Sequence, residues 1–302
     1  MNSRQLAMDT RKLAVKVLPT TVKQTLLRRR WNFLDAAIKV REVTGRLGPL
    51  PDFLIIGGQR CGTTYLYDRV CEHPEICGAL VKEIHFFNRE TYYVKGPDWY
   101  RGNFPSPDSL KSNNGQGGRK ITGEAAGYLF HPLAPSRIAD LIPDVKIIGL
   151  LRNPVDRAYS HYHHMRRLGY EEAATFEEAL ELEGDRLRKE VEAGLFGAHH
   201  HHHSYLARGI YADQLQAWFD AFPSEQLLFI QSEELYRDPT SVLKNTATYL
   251  GLPGWQPEEY SGHKQFPYSD LKPETRAWLE EYFRLHNERL FDMLGVDYGW
   301  NE

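Results

Sequence analysis

Cysteine is scarce in this sequence, and long apolar segments are missing. Its 302 residues include three cysteines, Cys61, Cys71 and Cys77. This small odd number argues against a disulfide framework. No apolar core typical of a signal peptide is visible near the first residues, so we expect a reduced, cytoplasmic setting. No apolar run approaches the roughly 18 residues of a membrane span. Cys71 and Cys77 could suggest a metal site or a disulfide, but we interpret them as half-buried thiols.

The net charge of −3 conceals a strong asymmetry. Residues 1–50 carry eleven Lys/Arg and three Asp/Glu, a balance of +8, whereas the remainder carries 26 basic and 37 acidic residues, a balance of −11. The run Arg28–Arg30 stands beside Trp31 and Phe33. A basic arm of this kind can lie peripherally on an anionic membrane, or it can pack as a helical extension on the main domain. The acidic remainder disfavours nucleic acid as a partner. We therefore expect a basic amphipathic helical arm over 1–50 and a main domain over 51–302.

Apolar strands alternate with helical patterns along the main domain. Buried strands are predicted at Phe53–Ile56, Val145–Leu151 and Leu227–Ile230. Helices are predicted near residues 64–73, 155–168, 175–193, 212–222, 240–250 and 274–293. This alternation predicts a single P-loop-like α/β domain whose mostly parallel central sheet is flanked by helices. In such sheets, ligands bind beyond the carboxyl ends of the strands.

The first strand runs into a glycine-bearing turn, in the sequence PDFLIIGGQRCGTT. Gly57 and Gly62 have the spacing of a Walker A loop and Thr64 stands at its Ser/Thr position, but Thr63 replaces the lysine. The nearest cation is Arg60, inside the loop. A strand, a glycine loop and a helix together point backbone N–H groups at an anion. The sequence therefore predicts a phosphate-holding loop unlike that of a usual NTPase, with a plain strand-to-helix turn as the alternative.

The second strand ends in a second candidate phosphate receptor. Arg152 should emerge at its carboxyl end, and Ser160 should lie about two turns into the following helix. An arginine fork and a hydroxyl make a good phosphate receptor. The alternative is an Arg152–Asp156 pair that caps the helix. Two receptors on one sheet suggest a nucleotide with phosphates at both ends.

A run of five histidines, His199–His203, interrupts the main domain. It could bind a metal, but a flexible run offers neither fixed geometry nor an obvious outer shell of supporting residues. An engineered insertion or a low-complexity loop is the simpler interpretation. We expect no metal site.

Several segments together resemble one family. The chain resembles the PAPS-dependent sulfotransferases, most closely their heparan-sulfate sulfotransferase-like branch and its bacterial relatives. The segments are GGQRCGTTYLYD, LLRNPVDRAYSHY, KEIHFF (Lys82–Phe87), ITGEAAGYLF (Ile121–Phe130), ARGIYADQL (Ala207–Leu215) and the C-terminal YFRLHNERLF with DYGW. The resemblance runs in consistent order from about Pro51 to Trp300.

The resemblance implies transfer of a sulfuryl group from 3′-phosphoadenosine-5′-phosphosulfate (PAPS) to a hydroxyl or amine. PAP (3′,5′-ADP) would be the product, the acceptor a carbohydrate or glycolipid, and no metal would be required. Glu124 would be the general base, with Arg60, Lys82 and His85 as further catalytic residues. The nucleotide would be held by Arg60, Cys61, Gly62, Thr63, Thr64, Arg152, Ser160 and Arg208, with Lys264 on a late loop as a further candidate.

Two departures from the family pattern stand out. Arg60 replaces the usual lysine, and an arginine cannot give up a proton. Ala126-Gly127 replaces the usual Ser/Thr-Pro after the glutamate, which changes the expected acceptor contacts.

Without the resemblance, Glu124 would be interpreted as a surface carboxylate after a strand, Lys82 as a partner of Glu83, and His85 as a core-edge histidine. Rival functions are a P-loop kinase using ATP and Mg²⁺, a catalytically silent PAP-binding protein at a membrane, and a pure scaffold.

Overall fold

The computed structural model describes residues 34–112, 119–192, 198–252, 254–257 and 270–301. The chain divides into two compact units, Met1–Arg46 and Leu47–Glu302. In the first unit, residues 34–43 are helical. The basic cluster at Arg28–Arg30 and the candidate Lys264 lie outside the described residues.

The second unit is built on a parallel sheet. Its strands are β1 (Phe53–Gly57), β2 (Ile76–Gly78), β3 (Ile121–Ala125), β4 (Lys146–Leu151) and β5 (Leu227–Gln231). All four strand pairings among these elements are parallel, in the order β2-β3-β1-β4-β5. The central strand β1 is buried along its whole length, which explains its uninterrupted apolar sequence. The predicted fold class is confirmed.

Helices connect and cover the strands. They are α1 (Thr63–Val70), α2 (Glu90–Tyr93), α3 (Gly96–Arg101), α4 (Ala134–Leu141), α5 (Pro154–Leu168), α6 (Phe176–Glu192), α7 (Ala198–His202), α8 (Tyr211–Ala221), α9 (Ser232–Arg237), α10 (Pro239–Tyr249) and α11 (Pro273–Leu294). Short 3₁₀ turns occur at Pro107–Leu110, Ala207–Gly209 and Ser224–Gln226. In the described part of the chain, every helix is too short or too polar to cross a membrane.

The strand order places a binding edge beside β1. Phe53 of β1 lies opposite Gly123 of β3 on one side and Lys146 of β4 on the other. After β1, the chain forms β2 and β3 on one side of β1, and it later forms β4 and β5 on the other side. Such a reversal opens a crevice at the carboxyl ends of the strands. The segments that follow β1, β3 and β4 therefore meet at one edge.

Candidate active site

The glycine loop after β1 leads directly into α1. Gly62 precedes the helix with φ of 93°, and a Cβ there would lie 2.6 Å from the Tyr236 hydroxyl oxygen, so the position demands glycine. Gly62 offers no capping side chain, and the first turn of α1 contains no acidic residue. The first-turn N–H groups, which include those of Thr63 and Thr64, therefore present a positive helix end suited to an anion.

Two arginines and a serine come together at this loop. Arg60 adopts a left-handed backbone with φ of 73°, and its Nε donates to Ser160 Oγ at 3.1 Å. Arg152 Nη1 donates to the carbonyl oxygen of Arg60 at 3.3 Å. Asp156 instead accepts from Arg276 at 2.8 Å, so the alternative Arg152–Asp156 cap is not the arrangement formed. The two predicted phosphate receptors are thus neighbours.

Cys61 lies on the inner side of the loop. Its thiol is fully buried, and burial raises its pKa. Its N–H donates to the carbonyl oxygen of Gly58 at 3.1 Å, and its own carbonyl oxygen accepts from Ser232 Oγ at 2.7 Å. Cys61 therefore shapes the loop from within, whereas Cys71 and Cys77 are half-buried free thiols as predicted.

Glu124 is buried at the carboxyl end of β3. It lies opposite Leu54 of β1, and none of its surface is exposed, so the interpretation as a surface carboxylate is wrong. The Tyr100 hydroxyl donates to Glu124 Oε1 at 2.6 Å, and the Tyr128 hydroxyl donates to the same oxygen at 2.8 Å. Glu124 Oε2 is buried and has no hydrogen-bond partner in the described structure. The two tyrosine hydroxyls thus anchor one oxygen of the carboxylate.

The environment of Glu124 suits a proton acceptor near neutral pH. Burial raises its pKa from 4.5 to about 7, and the hydrogen bonds from Tyr100, Tyr128 and the Ile84 backbone N–H oppose that rise. A base with a pKa near the working pH combines sufficient ionisation with sufficient driving force for proton transfer. The two tyrosines were not singled out from the sequence, because Tyr100 is distant along the chain and Tyr128 shares no regular element with Glu124.

Lys82 lies beside α1. Its Nζ donates to Asp68 Oδ1 at 3.2 Å and to the carbonyl oxygen of Thr64 at 3.4 Å. The lysine therefore pairs with Asp68, not with Glu83 as the alternative interpretation had it. The contact with Thr64 brings this cation to the first turn of the phosphate-loop helix.

His85 is half-buried in a strained turn with φ of 58°. Its Nδ1 lies 3.1 Å from Asn88 Oδ1, while Asn88 Nδ2 donates to the carbonyl oxygen of Gly127. Because Asn88 Oδ1 is then an acceptor, His85 Nδ1 carries the proton and Nε2 has a lone pair. Burial, with the Arg89 cation, lowers the pKa of His85 to about 4, so the ring is neutral at pH 7.

Arg208 is buried in the 3₁₀ turn before α8. Its Nε donates to Ser204 Oγ at 2.7 Å and its Nη2 donates to the carbonyl oxygen of His200 at 3.1 Å. The guanidinium lies over the Phe130 ring at 4.6 Å. Burial, with the nearby Arg157 cation, lowers the pKa of Arg208 to about 9.

The histidine run is part of the fold. Most of it lies in α7, where the His200 ring stacks on Phe130 at 4.3 Å between centroids. Glu190 accepts from the backbone N–H groups of His199 and His200 at 2.9 and 2.7 Å, so a carboxylate caps the start of this helix. No set of three potential metal ligands is assembled in the part of the chain that the structure describes.

Comparisons with known proteins agree with this geometry. The sulfotransferase domain family matches residues 50–288. The human bifunctional heparan sulfate N-deacetylase/N-sulfotransferase 3 is 32% identical over 277 residues, covering 81% of this chain and 30% of that protein. The membrane-associated sulfotransferase kil1 of Dictyostelium discoideum is 26% identical and aligns over 85% of this chain and 68% of its own length. The chain therefore spans less than a third of the heparan sulfate enzyme.

A solved structure extends the likeness to three dimensions. The sulfotransferase from Alicyclobacillus acidocaldarius superimposes with a TM-score of 0.67 at 30% identity, covering 84% of this chain and all of that one. The parallel sheet places the glycine loop after β1 beside the strand that carries the buried carboxylate. This chain belongs to the sulfotransferase family. The predicted family, the sulfotransferases, is confirmed.

Proposed function

We propose that this protein transfers the sulfuryl group of PAPS to a hydroxyl or amine of a carbohydrate or glycolipid, with Glu124 as general base. The observation that carries the proposal is the meeting of Arg60, Arg152 and Ser160 at the loop before α1. Glu124 lies one residue before the end of β3, the strand next to the one that leads into this loop.

The loop suits the 5′ end of the donor, since the N–H groups of Thr63 and Thr64 and the dipole of α1 favour a phosphosulfate. Arg152 and Ser160 suit the 3′-phosphate, because a guanidinium and a hydroxyl can both donate to one phosphate group. Arg60 contacts residues assigned to the 3′-phosphate: its Nε donates to Ser160, and its carbonyl oxygen accepts from Arg152. These bonds support a position for Arg60 between the two phosphate sites. We assign to Arg60 the stabilisation of charge that develops on the leaving phosphate oxygen.

The proton balance assigns a role to Glu124. As the acceptor oxygen or nitrogen forms a bond to sulfur, the bond from sulfur to the bridging oxygen breaks, and its electron pair stays on the phosphate. The acceptor loses one proton, which Glu124 Oε2 takes because that oxygen has no partner of its own in the described chain. A positioned base contributes about 10²- to 10⁴-fold to such a step.

We assign Lys82 and His85 to the same crevice. Lys82, which reaches the first turn of α1, adds positive charge beside the transferring group. Neutral His85 offers a lone pair on Nε2, with which it can accept a hydrogen bond from the acceptor. The roles of Arg208 and Lys264 in nucleotide binding remain predictions.

The acceptor class rests on the relatives. The similar human enzyme is named a heparan sulfate N-sulfotransferase, so an amino sugar is our first candidate and hydroxyl acceptors are the second. Peripheral membrane contact through residues 1–50 and a cytoplasmic location also remain predictions; the Dictyostelium relative is named membrane-associated.

The test uses labelled PAPS with an N-unsubstituted amino-sugar polymer, its N-acetylated form and a hydroxylated glycolipid. We expect label to enter at least one acceptor with wild-type protein and to fall about 10²-fold or more with Glu124→Gln. PAP binding without turnover on any acceptor would favour the silent binding protein. A kinase is disfavoured because Thr63 stands where that chemistry needs a lysine.

A further inference from the structure

The hydroxyl of Tyr211 lies between the two strand-to-helix turns that carry the candidate phosphate receptors. It donates to the carbonyl oxygen of Arg152 at 2.9 Å, and the Arg152 N–H approaches the same hydroxyl oxygen at 3.5 Å. On the other turn, the Cys61 thiol lies 3.9 Å from this hydroxyl. One buried side chain from a third segment of the chain therefore contacts both turns.

Tyr211 acts in this cluster as a hydrogen-bond donor. Its single O–H proton is given to Arg152, so the Cys61 thiol can donate to the phenol oxygen or to the carbonyl oxygen of Gln59 at 3.8 Å. Burial raises the pKa of the Tyr211 hydroxyl well above its ordinary value of 10, so the group keeps its proton at pH 7. The bond to Arg152 is the shortest of these contacts and is the main link.

The contact with Arg152 closes a ring of bonds around the site. The Arg152 side chain donates to the carbonyl oxygen of Arg60 at 3.3 Å, and Cys61 follows Arg60 directly in the chain. Arg152 is thus held at its backbone by Tyr211 and at its guanidinium by the glycine loop. A shift of one turn relative to the other would have to break one of these bonds.

Arg152 stands where the sheet stops supporting the backbone. The register between β4 and β5 ends at the pair Leu151–Gln231. Beyond that pair, the Tyr211 hydroxyl binds the backbone of Arg152, and Glu233 Oε1 accepts from the N–H of Asn153 at 2.9 Å. Side chains therefore fix the point from which the Arg152 side chain emerges.

Tyr211 is itself firmly held. It is the first residue of α8 and follows the 3₁₀ turn Ala207–Gly209. Gln214 Nε2 donates to the carbonyl oxygen of Arg208 at 3.0 Å, which secures this turn. The Tyr211 ring packs near Trp300, with ring centroids 6.0 Å apart. The hydroxyl is therefore presented to Arg152 from a fixed position.

We propose that Tyr211 is a positioning residue for the 3′-phosphate, because its hydroxyl holds the backbone of Arg152 where the guanidinium can reach that group. This role rests on the proposed function, since it requires Arg152 to bind the 3′-phosphate of PAPS. Tyr211 acts through Arg152. Loss of its hydroxyl should therefore weaken ligands that carry a 3′-phosphate and spare those that lack one.

The test compares Tyr211→Phe with wild type by calorimetry, using PAP and 5′-AMP, which differs from PAP only in lacking the 3′-phosphate. Phenylalanine keeps the ring beside Trp300 and removes only the hydroxyl. We expect PAP to bind about five- to tenfold more weakly and the affinity for 5′-AMP to change less than about twofold. Equal weakening of both ligands would overturn the proposal, because a general loss of structure would explain it.

A double-mutant cycle shows whether Tyr211 acts through Arg152. In the Arg152→Ala background, Tyr211→Phe should change PAP affinity less than about twofold, because the group that it positions is gone. A second loss as large as the first would overturn the proposal. Tyr249→Phe is the matched control, since its hydroxyl donates to the carbonyl oxygen of Ile147 at 3.1 Å, in β4 but away from its carboxyl end. This control should keep the wild-type preference for PAP.

Wild-type protein separates this inference from the proposed function. Equal affinity of wild type for PAP and 5′-AMP would remove the 3′-phosphate site itself. If Tyr211→Phe does not fold, a crystal structure of wild type with PAP decides the matter. We expect the 3′-phosphate on the Arg152 guanidinium and the Tyr211 hydroxyl within about 3 Å of the Arg152 carbonyl oxygen. A complex with the phosphate on Arg152 but with this bond broken would overturn the role of Tyr211 alone.

Discussion

Removal of the Tyr128 hydroxyl should raise the pKa of Glu124 without moving its carboxylate. In Tyr128→Phe, Glu124 Oε1 loses the hydrogen bond of 2.8 Å but keeps the one from Tyr100. A hydrogen bond to a charged group is worth about 1.5–3 kcal/mol, which corresponds to a pKa rise of about 1–2 units. The pKa of Glu124 is already raised to about 7 by burial. The ionised fraction at pH 7 should therefore fall roughly 5- to 50-fold.

The assay is the pH profile of kcat/KM, whose acid limb reports the pKa of the free enzyme's base. We expect that limb to move upward by about 1–2 units in Tyr128→Phe, with activity recovering toward wild type at high pH. Tyr162→Phe is the matched control, because this buried tyrosine donates to the carbonyl oxygen of Ala173 at 3.1 Å, in another part of the fold. A loss that is equal at every pH, or an unshifted limb, would refute the link between Tyr128 and the base.

Three further substitutions test the rest of the site. Glu124→Gln should raise the free energy of unfolding at pH 8. The pKa of Glu124 in the folded protein, about 7, exceeds the ordinary 4.5, so the stability that the protonated carboxyl contributes is lost as the pH rises from 4.5 to 7. Chemical denaturation at pH 8 should therefore show a gain of up to ~3 kcal/mol in the variant. Arg152→Ala should weaken the binding of PAP, measured by calorimetry, about 10- to 100-fold. It should weaken the binding of adenosine 5′-phosphosulfate, which lacks the 3′-phosphate, much less. Equal weakening of both ligands would show that Arg152 acts only by bracing the loop. Arg60→Lys should retain most transfer activity whereas Arg60→Ala should lose at least about tenfold in kcat, because the position needs a cation; equal loss in both would point to guanidinium geometry instead.

Much of the fold was predictable because the buried strands have simple patterns. Strands β1, β4 and β5 are apolar runs next to glycine or polar turns, and the structure confirms each of them with one end shifted by one residue. Strand β3 was not predicted from its pattern, because Gly123 and Glu124 interrupt the apolar sequence. Gly123 is needed where the Phe53 ring would meet a Cβ, and Glu124 is a fully buried carboxyl in the same strand.

The candidate site was predictable where it depends on elements next to each other in the sheet. Arg60 and Ser160 were assigned from the two strand-to-helix turns to receptors for the two ends of one nucleotide, and in the structure they share a hydrogen bond. The tyrosine pair on Glu124 and the buried Arg157 were not foreseen. Their partners come from distant segments, Tyr100 before β3 and Ser204 after α7, and no sequence period reports such contacts.

The most direct test of the account is the binding of 3′,5′-ADP by calorimetry, with 5′-AMP and ATP–Mg²⁺ as comparators. We expect tight binding of 3′,5′-ADP and much weaker binding of 5′-AMP, because Arg152 and Ser160 are assigned to the 3′-phosphate. A preference for ATP–Mg²⁺, or equal affinity for 5′-AMP and 3′,5′-ADP, would contradict the two-phosphate site on which the proposed mechanism depends.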